Sequence, residues 1–451
     1  MISRFSPRLE LVVSHMIQPT THSSFALILG ALLSATCLAQ PAATASCVPP
    51  GTLAAALSGT APLQSPEFAA DRHVTLRFCA PEATSVRVVG DWNAKRPTGD
   101  PLEKDTRGVW SISIGPMVPD LYTYSFIVDG VKTIDPDNVH SANDALRISS
   151  YFIVDSEGAE SSWFENKDVP HGEVTAVWYS SESVATPRRA LVYTPPNYRS
   201  GTDRYPVLYL LHGWGGDENE WLELGRTAQT MDNLLAANRI VPMIVVMPNG
   251  HHDRHAIPDI SPPPSIAELA PLPPRGYDIT PSITKISTSV ADDLVPYVDQ
   301  NFRTIRKSSS RAIAGLSMGG GQATFIGLNH PDMFAWVASF SGAIIAWPGA
   351  MMPAPATAQK ESAGPLIPQY SFNPEAMKRN VPGLDESING ELRLLYISCG
   401  LDDGLITSNK QFEDWLTEHK IRFIHKEVPG YAHVWNFWRR SLVDVAPLLF
   451  R

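Results

Sequence analysis

The chain is 451 residues long, 43% hydrophobic and 18% charged, which excludes a disordered chain and, at roughly 150 residues per domain, allows two or three folded units. Lys and Arg number 36 against 46 Asp and Glu, a formal net charge of −10; with no basic run, electrostatic binding to nucleic acid is excluded, since it needs clustered cations. The four cysteines are scattered without a C-x-x-C pair, which argues against a thiolate zinc site or a redox dithiol.

At the amino end, residues 25–39 (FALILGALLSATCLA) form an apolar run too short for a stable membrane anchor. Arg4, Arg8 and His15 precede it, and small residues follow in AQPAATAS. This is the layout of a secretory signal peptide over residues 1–39, cleaved near Ala39 or Ala45. No later stretch is long and apolar enough to span a bilayer, so a secreted or periplasmic protein without a membrane partner is expected. That compartment permits a Cys47–Cys79 disulfide, although the favoured reading of Cys79 is simply a buried strand residue.

Residues 40–67, rich in Ala, Pro, Ser and Gly, read as a linker. Short segments rich in β-branched and aromatic residues then follow: 73–78 (HVTLRF), 85–89 (SVRVV), 109–114 (VWSISI), 121–128 (LYTYSFIV) and 150–154 (SYFIV). Turn signals such as Asp129-Gly130 separate them, and the spacing predicts an antiparallel, immunoglobulin-like β-sandwich over residues 68–157. From residue 171 to 451 the pattern changes. Strands are expected at 189–193, 207–211, 244–247, 311–314, 336–339, 392–398 and 421–427. Helices are expected at 227–238, 287–302, 318–329, 409–419 and from about 434. Alternating helices and continuous apolar strands imply a parallel α/β sheet covered on both faces. Two long insertions, 250–286 and 343–391, are the length of lids or binding walls.

Gly315-Leu316-Ser317-Met318-Gly319 is a G-x-S-x-G sequence between an expected strand and an expected helix. In that setting the serine sits on a sharp elbow and projects its oxygen above the sheet, with the helix amino terminus beside the developing oxyanion. An α/β-hydrolase fold with Ser317 as nucleophile follows. A serine hydroxyl needs a base and a group to orient that base, in the chain order Ser, acid, His. Asp402 and Asp403, after the strand LRLLYIS, are both candidates for the acid. His433, in the loop after the last strand, is the candidate base, while His425 lies within the strand and reads as structural. A neutral imidazole is the working form, so activity is expected to fall on the acid side of about pH 6.5. The oxyanion donors are expected to be the amides of Met318 and Trp214, with His212 bracing the Trp214 loop.

The blocks YLLHGWGGDENEW, VVMPNG, RAIAGLSMGGGQA, FSGA, YISCGLDDGL and PGYAHVWNFW together resemble the carbohydrate esterase family of feruloyl and acetylxylan esterases, the esterase D or antigen 85 group. The resemblance runs from about residue 171 to the carboxyl end. It implies Ser317 as nucleophile, His433 as base, Trp214 as loop donor and Asp403, three residues after Gly400, as the acid in preference to Asp402. Phe78-Cys79-Ala80-Pro81, residues 88–93 (VVGDWN) and residues 124–130 (YSFIVDG) resemble the glycogen-branching-enzyme type of carbohydrate-binding module. Cys79 departs from that pattern, and no row of exposed aromatics stands out, so a lid that shapes the esterase cleft is the favoured role for this part.

The resemblance implies a serine esterase that removes feruloyl or acetyl decorations from plant cell-wall polysaccharide such as arabinoxylan, or that acts on a small aromatic ester. Trp221, Tyr277 and Trp435, with Trp214, are candidates for a flat wall that receives an aromatic acid or a sugar ring. No cofactor and no metal are expected. The run from His251 to His255 reads as a polar loop on the catalytic side of the sheet rather than a metal site. The alternative readings are a siderophore (enterochelin-type) esterase and a non-catalytic carbohydrate-binding protein.

Overall fold

The computed structural model describes residues 47–49, 63–94, 96, 98–144, 147–155, 163–252, 280–349 and 372–451. The expected signal peptide lies outside them. None of the described helices is long and apolar enough to cross a membrane.

Among the described residues, ten short strands build the amino-terminal part: β1 (Glu67–Phe68), β2 (Val74–Cys79), β3 (Val86–Gly90), β4 (Asp100–Pro101), β5 (Glu103–Lys104), β6 (Val109–Ile114), β7 (Asp120–Val128), β8 (Val131–Thr133), β9 (Ser141–Asp144) and β10 (Arg147–Val154). They form two antiparallel sheets, ordered β1-β2-β6-β5 and β4-β3-β7-β10-β9, with β8 paired to β7. Alternation along the strands puts Val74, Leu76, Val88 and Phe126 between the sheets, all fully buried, with Tyr124 and Phe152. Chain contacts with this part begin before β1, because the buried Ser65 hydroxyl donates to the Asp135 carboxylate at 2.6 Å. Cys79 is buried, as read from the sequence, but it is also disulfide-bonded to Cys47, with Cα atoms 5.9 Å apart. The reading of Cys79 as merely a packed thiol is therefore corrected. Closing a loop between cysteines 32 positions apart removes unfolded-chain entropy worth roughly 3–4 kcal/mol.

The carboxyl-terminal part is built on an eight-stranded sheet: β11 (Glu173–Ser181), β12 (Thr186–Thr194), β13 (Val207–Leu211), β14 (Ile244–Pro248), β15 (Arg311–Leu316), β16 (Trp336–Phe340), β17 (Leu394–Gly400) and β18 (Ile424–Val428), among the described residues. The order is β11-β12-β14-β13-β15-β16-β17-β18. β12 pairs antiparallel with β11 and β14, and β14 through β18 are parallel. Every residue of β13 to β17 is buried, which is why these strands read as unbroken apolar runs: helices cover both faces. β11 was not expected from the sequence. It is an edge strand whose first four residues are exposed, so its composition carries no continuous hydrophobic signal.

The helix expected at 287–302 begins earlier. It runs from Thr280–Thr288 through a π-helical turn at Ser289–Leu294 to Val295–Asn301. Parallel registry matters most for function. Leu211 pairs with Gly315, Leu316 with Phe340, and Gly400 with Val428. The loops after β13, β15, β16, β17 and β18 therefore leave the sheet along one edge, the side where open α/β sheets place their sites.

Candidate active site

β15 ends at Leu316, and the helix Ser317–Asn329 starts at the next residue. The chain turns so sharply that Ser317 has φ +51°, a left-handed conformation a non-glycine residue adopts only under constraint. The glycines of the motif have a steric reason. A β-carbon on Gly315 would lie 2.4 Å from the Gly319 carbonyl oxygen, and one on Gly319 would lie 2.4 Å from the His212 carbonyl oxygen. Strand, helix and the neighbouring loop close on the elbow only because side chains are absent there.

Around Ser317 the structure brings together three of the predicted residues. The Ser317 hydroxyl is 2.9 Å from His433 Nε2, and His433 Nδ1 is 2.8 Å from Asp403 Oδ2. Asp403 comes from the loop after β17 and His433 from the loop after β18, so side chains that follow three separate strands converge, His433 lying 116 positions from Ser317. Asp403's side chain is fully buried, whereas that of His433 is 34% exposed. Burial pushes the Asp403 carboxyl up. The His433 imidazole and the Leu405 N–H, which donates to Oδ1 at 2.8 Å, together outweigh burial and hold the carboxyl below its ordinary value. Asp402 is exposed, and its backbone N–H donates to the Tyr431 carbonyl at 3.0 Å. Trp438 packs edge-on against the His433 ring, centroids 4.8 Å apart.

The Trp214 loop lies against the nucleophile. A β-carbon on Gly213 would sit 2.7 Å from Leu316 Cδ1 and 3.5 Å from Ser317 Cβ. Met318 is the second residue of the helix, so its N–H is one of the helix-end amides that lack an intrahelical acceptor. His212 Nε2 accepts from the Gly250 N–H at 2.7 Å, which leaves the proton of a neutral ring on Nδ1, 2.8 Å from the Gly213 carbonyl.

Two of the expected substrate contacts are corrected. Trp221 is 1% exposed and donates through Nε1–H to the Leu211 carbonyl at 2.8 Å. Trp435 is 3% exposed and packs edge-on against Trp221, ring centroids 5.4 Å apart. Both belong to the core beneath one face of the sheet, because a bulky aromatic ring fills that layer as well as it would line a cleft. Tyr277 lies outside the described residues. His425 faces outward and pairs with Glu413 at 3.3 Å. Glu413, His425 and Glu427 have ligand-type atoms within 4.8 Å of one another, and Lys410 forms an ion pair with Glu427 at 3.2 Å.

Comparison with known proteins adds family context. The esterase family model, described as "Putative esterase", matches residues 181–449, and that of carbohydrate-binding module 48 (isoamylase N-terminal domain) matches residues 63–142. A protein of Xylanibacter ruminicola named endo-1,4-beta-xylanase/feruloyl esterase is 30% identical over 391 residues, which is 86% of this chain and 46% of that protein. An esterase of Mycobacterium tuberculosis is 32% identical over 155 residues, 34% of this chain and 28% of that protein. The chain thus spans less than half the length of these curated relatives. The crystal structure of the enterobactin esterase of Shigella flexneri in the presence of enterobactin aligns over 84% of this chain and 92% of that one, at a TM-score of 0.60 and 15% identity. That likeness establishes the fold, an α/β-hydrolase sheet with an amino-terminal sandwich.

Proposed function

The chain belongs to the esterase family, and from that premise we propose that it is an exported serine carboxylic ester hydrolase that removes feruloyl or acetyl groups from plant cell-wall polysaccharide. The continuous contact Ser317–His433–Asp403 carries the reading. Ser317 Oγ attacks the ester carbonyl carbon while its proton passes to His433 Nε2. Asp403 holds Nδ1–H and stabilises the imidazolium that forms. The amides of Met318 and Trp214 receive the negative oxygen. Collapse of the tetrahedral adduct breaks the bond to the sugar oxygen, which takes the proton from His433, and leaves an acyl-Ser317 ester. Water then repeats the sequence, with His433 as base, and frees the acid.

Three observations support the finer reading. A relative that is 30% identical over 86% of this chain is named endo-1,4-beta-xylanase/feruloyl esterase. A cleft of about 570 Å³ opens between the sandwich and the His433 loop, lined by Asp91, Trp92, Tyr122, Asp402 and Tyr431 among others, and its mix of aromatic faces and carboxylates suits a sugar chain. The Cys47–Cys79 disulfide and the signal-like leader both fit an oxidising compartment outside the cytoplasm.

Wild type and Ser317→Ala are compared on a chromogenic acyl ester, then wild type on intact wheat arabinoxylan with released hydroxycinnamate and acetate separated. Loss of turnover on the order of 10⁶-fold in Ser317→Ala is expected, together with hydroxycinnamate release from the polymer. Equal turnover by the two proteins overturns the serine mechanism; an active enzyme that releases neither acid from the polymer overturns the polysaccharide substrate.

A further inference from the structure

The loop after β13 reads Gly213-Trp214-Gly215-Gly216. With glycine on both sides of Trp214, and Gly215 at φ +84°, the backbone there has little intrinsic preference to hold it in one conformation. Yet an oxyanion donor contributes only if its N–H is aimed before the charge develops. Something outside the loop must supply that order.

Two buried imidazoles do so, each 1% exposed. His212 Nδ1–H meets the Gly213 carbonyl at 2.8 Å. That carbonyl and the Trp214 N–H belong to one planar trans peptide and point in opposite directions, so holding the oxygen aims the N–H. On the other side, His251 Nε2 accepts the Gly215 N–H at 3.1 Å, which holds the peptide joining Trp214 to Gly215. The two planes that flank the Trp214 Cα are thus pinned, one by each ring. The rings pack 5.4 Å apart, and His251 also meets the Trp214 indole edge-on at 5.3 Å.

His251 is itself held. Its backbone N–H donates to Asn249 Oδ1 at 3.0 Å, and Asn249 Nδ2 donates to the buried Glu218 carboxylate at 3.0 Å. Gln322, fully buried on the nucleophile helix, donates through Nε2 to the Gly250 carbonyl at 2.8 Å. A chain of hydrogen bonds therefore runs from the helix bearing Ser317, through residues 249–251, to the glycine-rich loop.

We propose that His251, acting with His212, is a positioning residue that locks the Trp214 amide toward the oxyanion. This rests on the serine hydrolase reading. The full chain carrying His251→Phe or His251→Gln tests it on a chromogenic ester. Phe keeps a ring but offers no acceptor to the Gly215 N–H; Gln restores an acceptor oxygen. His251→Phe is expected to lower kcat by at least about tenfold, toward the roughly 10²–10³-fold that loss of one oxyanion donor costs, with KM within about threefold of wild type. His251→Gln recovers most of that loss. A trifluoromethyl ketone, whose serine adduct carries an oxyanion, loses affinity in step with kcat. A kcat for His251→Phe within threefold of wild type, equal losses in both variants, or a rise in KM alone overturns the proposal.

Should His251→Phe fail to fold, Asn249→Ala gives the second reading: a smaller kcat loss with KM unchanged supports the proposal, and an unaltered kcat overturns it. Ser317→Ala separates the two levels. If that variant keeps wild-type turnover, the serine reading itself fails; if it is inactive while His251→Phe is normal, only the positioning role fails.

Discussion

Asp402 and Asp403 are adjacent and chemically identical, yet one faces solvent and the other lies buried against His433 Nδ1. Asp403→Asn keeps the shape but turns an acceptor into a group that favours the wrong imidazole tautomer, so kcat is expected to fall about 10³–10⁴-fold. Asp402→Asn should change it by less than about threefold; the reverse order in steady-state kinetics would refute the assignment. The same carboxyl has a stability signature. Its native value is held below the ordinary one, so its stabilising contribution is present above the unfolded value of about 3.9 and is lost as pH falls through the native value. The stability difference between wild type and Asp403→Asn, measured by denaturant titration, should thus be constant near neutrality and shrink below about pH 4. The contact Ser317–His433–Asp403 was legible in the sequence because the proposed role of each member needs both a particular chemistry and a position just after a strand. Trp221 and Trp435 were not, since an indole serves a core and a sugar platform equally well. His251 was missed because its partner is a backbone N–H 36 residues away, which no side-chain pattern announces.

The elbow is an element-level feature, since the helix Ser317–Asn329 and the end of β13 approach backbone to backbone. Gly319→Ala would push a methyl to within 2.4 Å of the His212 carbonyl and 2.5 Å of the Leu211 carbonyl. Neither is a flexible side-chain end, so relief requires the strand end and the helix to part, costing about 1–3 kcal/mol and dragging the Trp214 loop with them. Labelling of Ser317 by a fluorophosphonate should slow by at least tenfold. Gly390→Ala is the control, because nothing lies within 4 Å of its added methyl; equal effects of the two substitutions would argue against steric closure. The central strands β13 to β17 were readable as strands because both their faces are covered. Edge strands lack that signature: β11 escaped notice, and β18 was expected from residue 421 but starts at Ile424, its first two residues exposed and its amphipathic pattern blurred by solvent.

The sandwich and the hydrolase part share buried polar contacts and apolar packing, which bears on whether the amino-terminal part is a detachable sugar binder. Arg439, on the helix Trp435–Val445 that follows His433, has a side chain 2% exposed. Its guanidinium meets Asp120 of β7 at 2.8 Å and also donates to the carbonyls of Leu121 and Leu224. Asn436, from the same helix, donates to the Leu121 carbonyl at 3.0 Å. Leu121 and Ala142 pack within the hydrolase core. Removing the sandwich would strand a buried cation and expose that apolar face, so a chain starting near residue 157 is expected to lose small-ester activity as well as polymer activity. A gentler test keeps every residue in place. Arg439→Met leaves Asp120 without its cation and should destabilise by about 3–5 kcal/mol, whereas the double variant Asp120→Leu with Arg439→Met, which replaces both charges by apolar groups, should recover much of that loss. Calorimetry reads the coupling directly. Wild type should unfold in one transition spanning both parts, and Arg439→Met should lower its midpoint or split it in two. Two well-separated transitions already present in wild type would mean that these contacts do not join the parts energetically, and the amino-terminal sheets would then be an independent module.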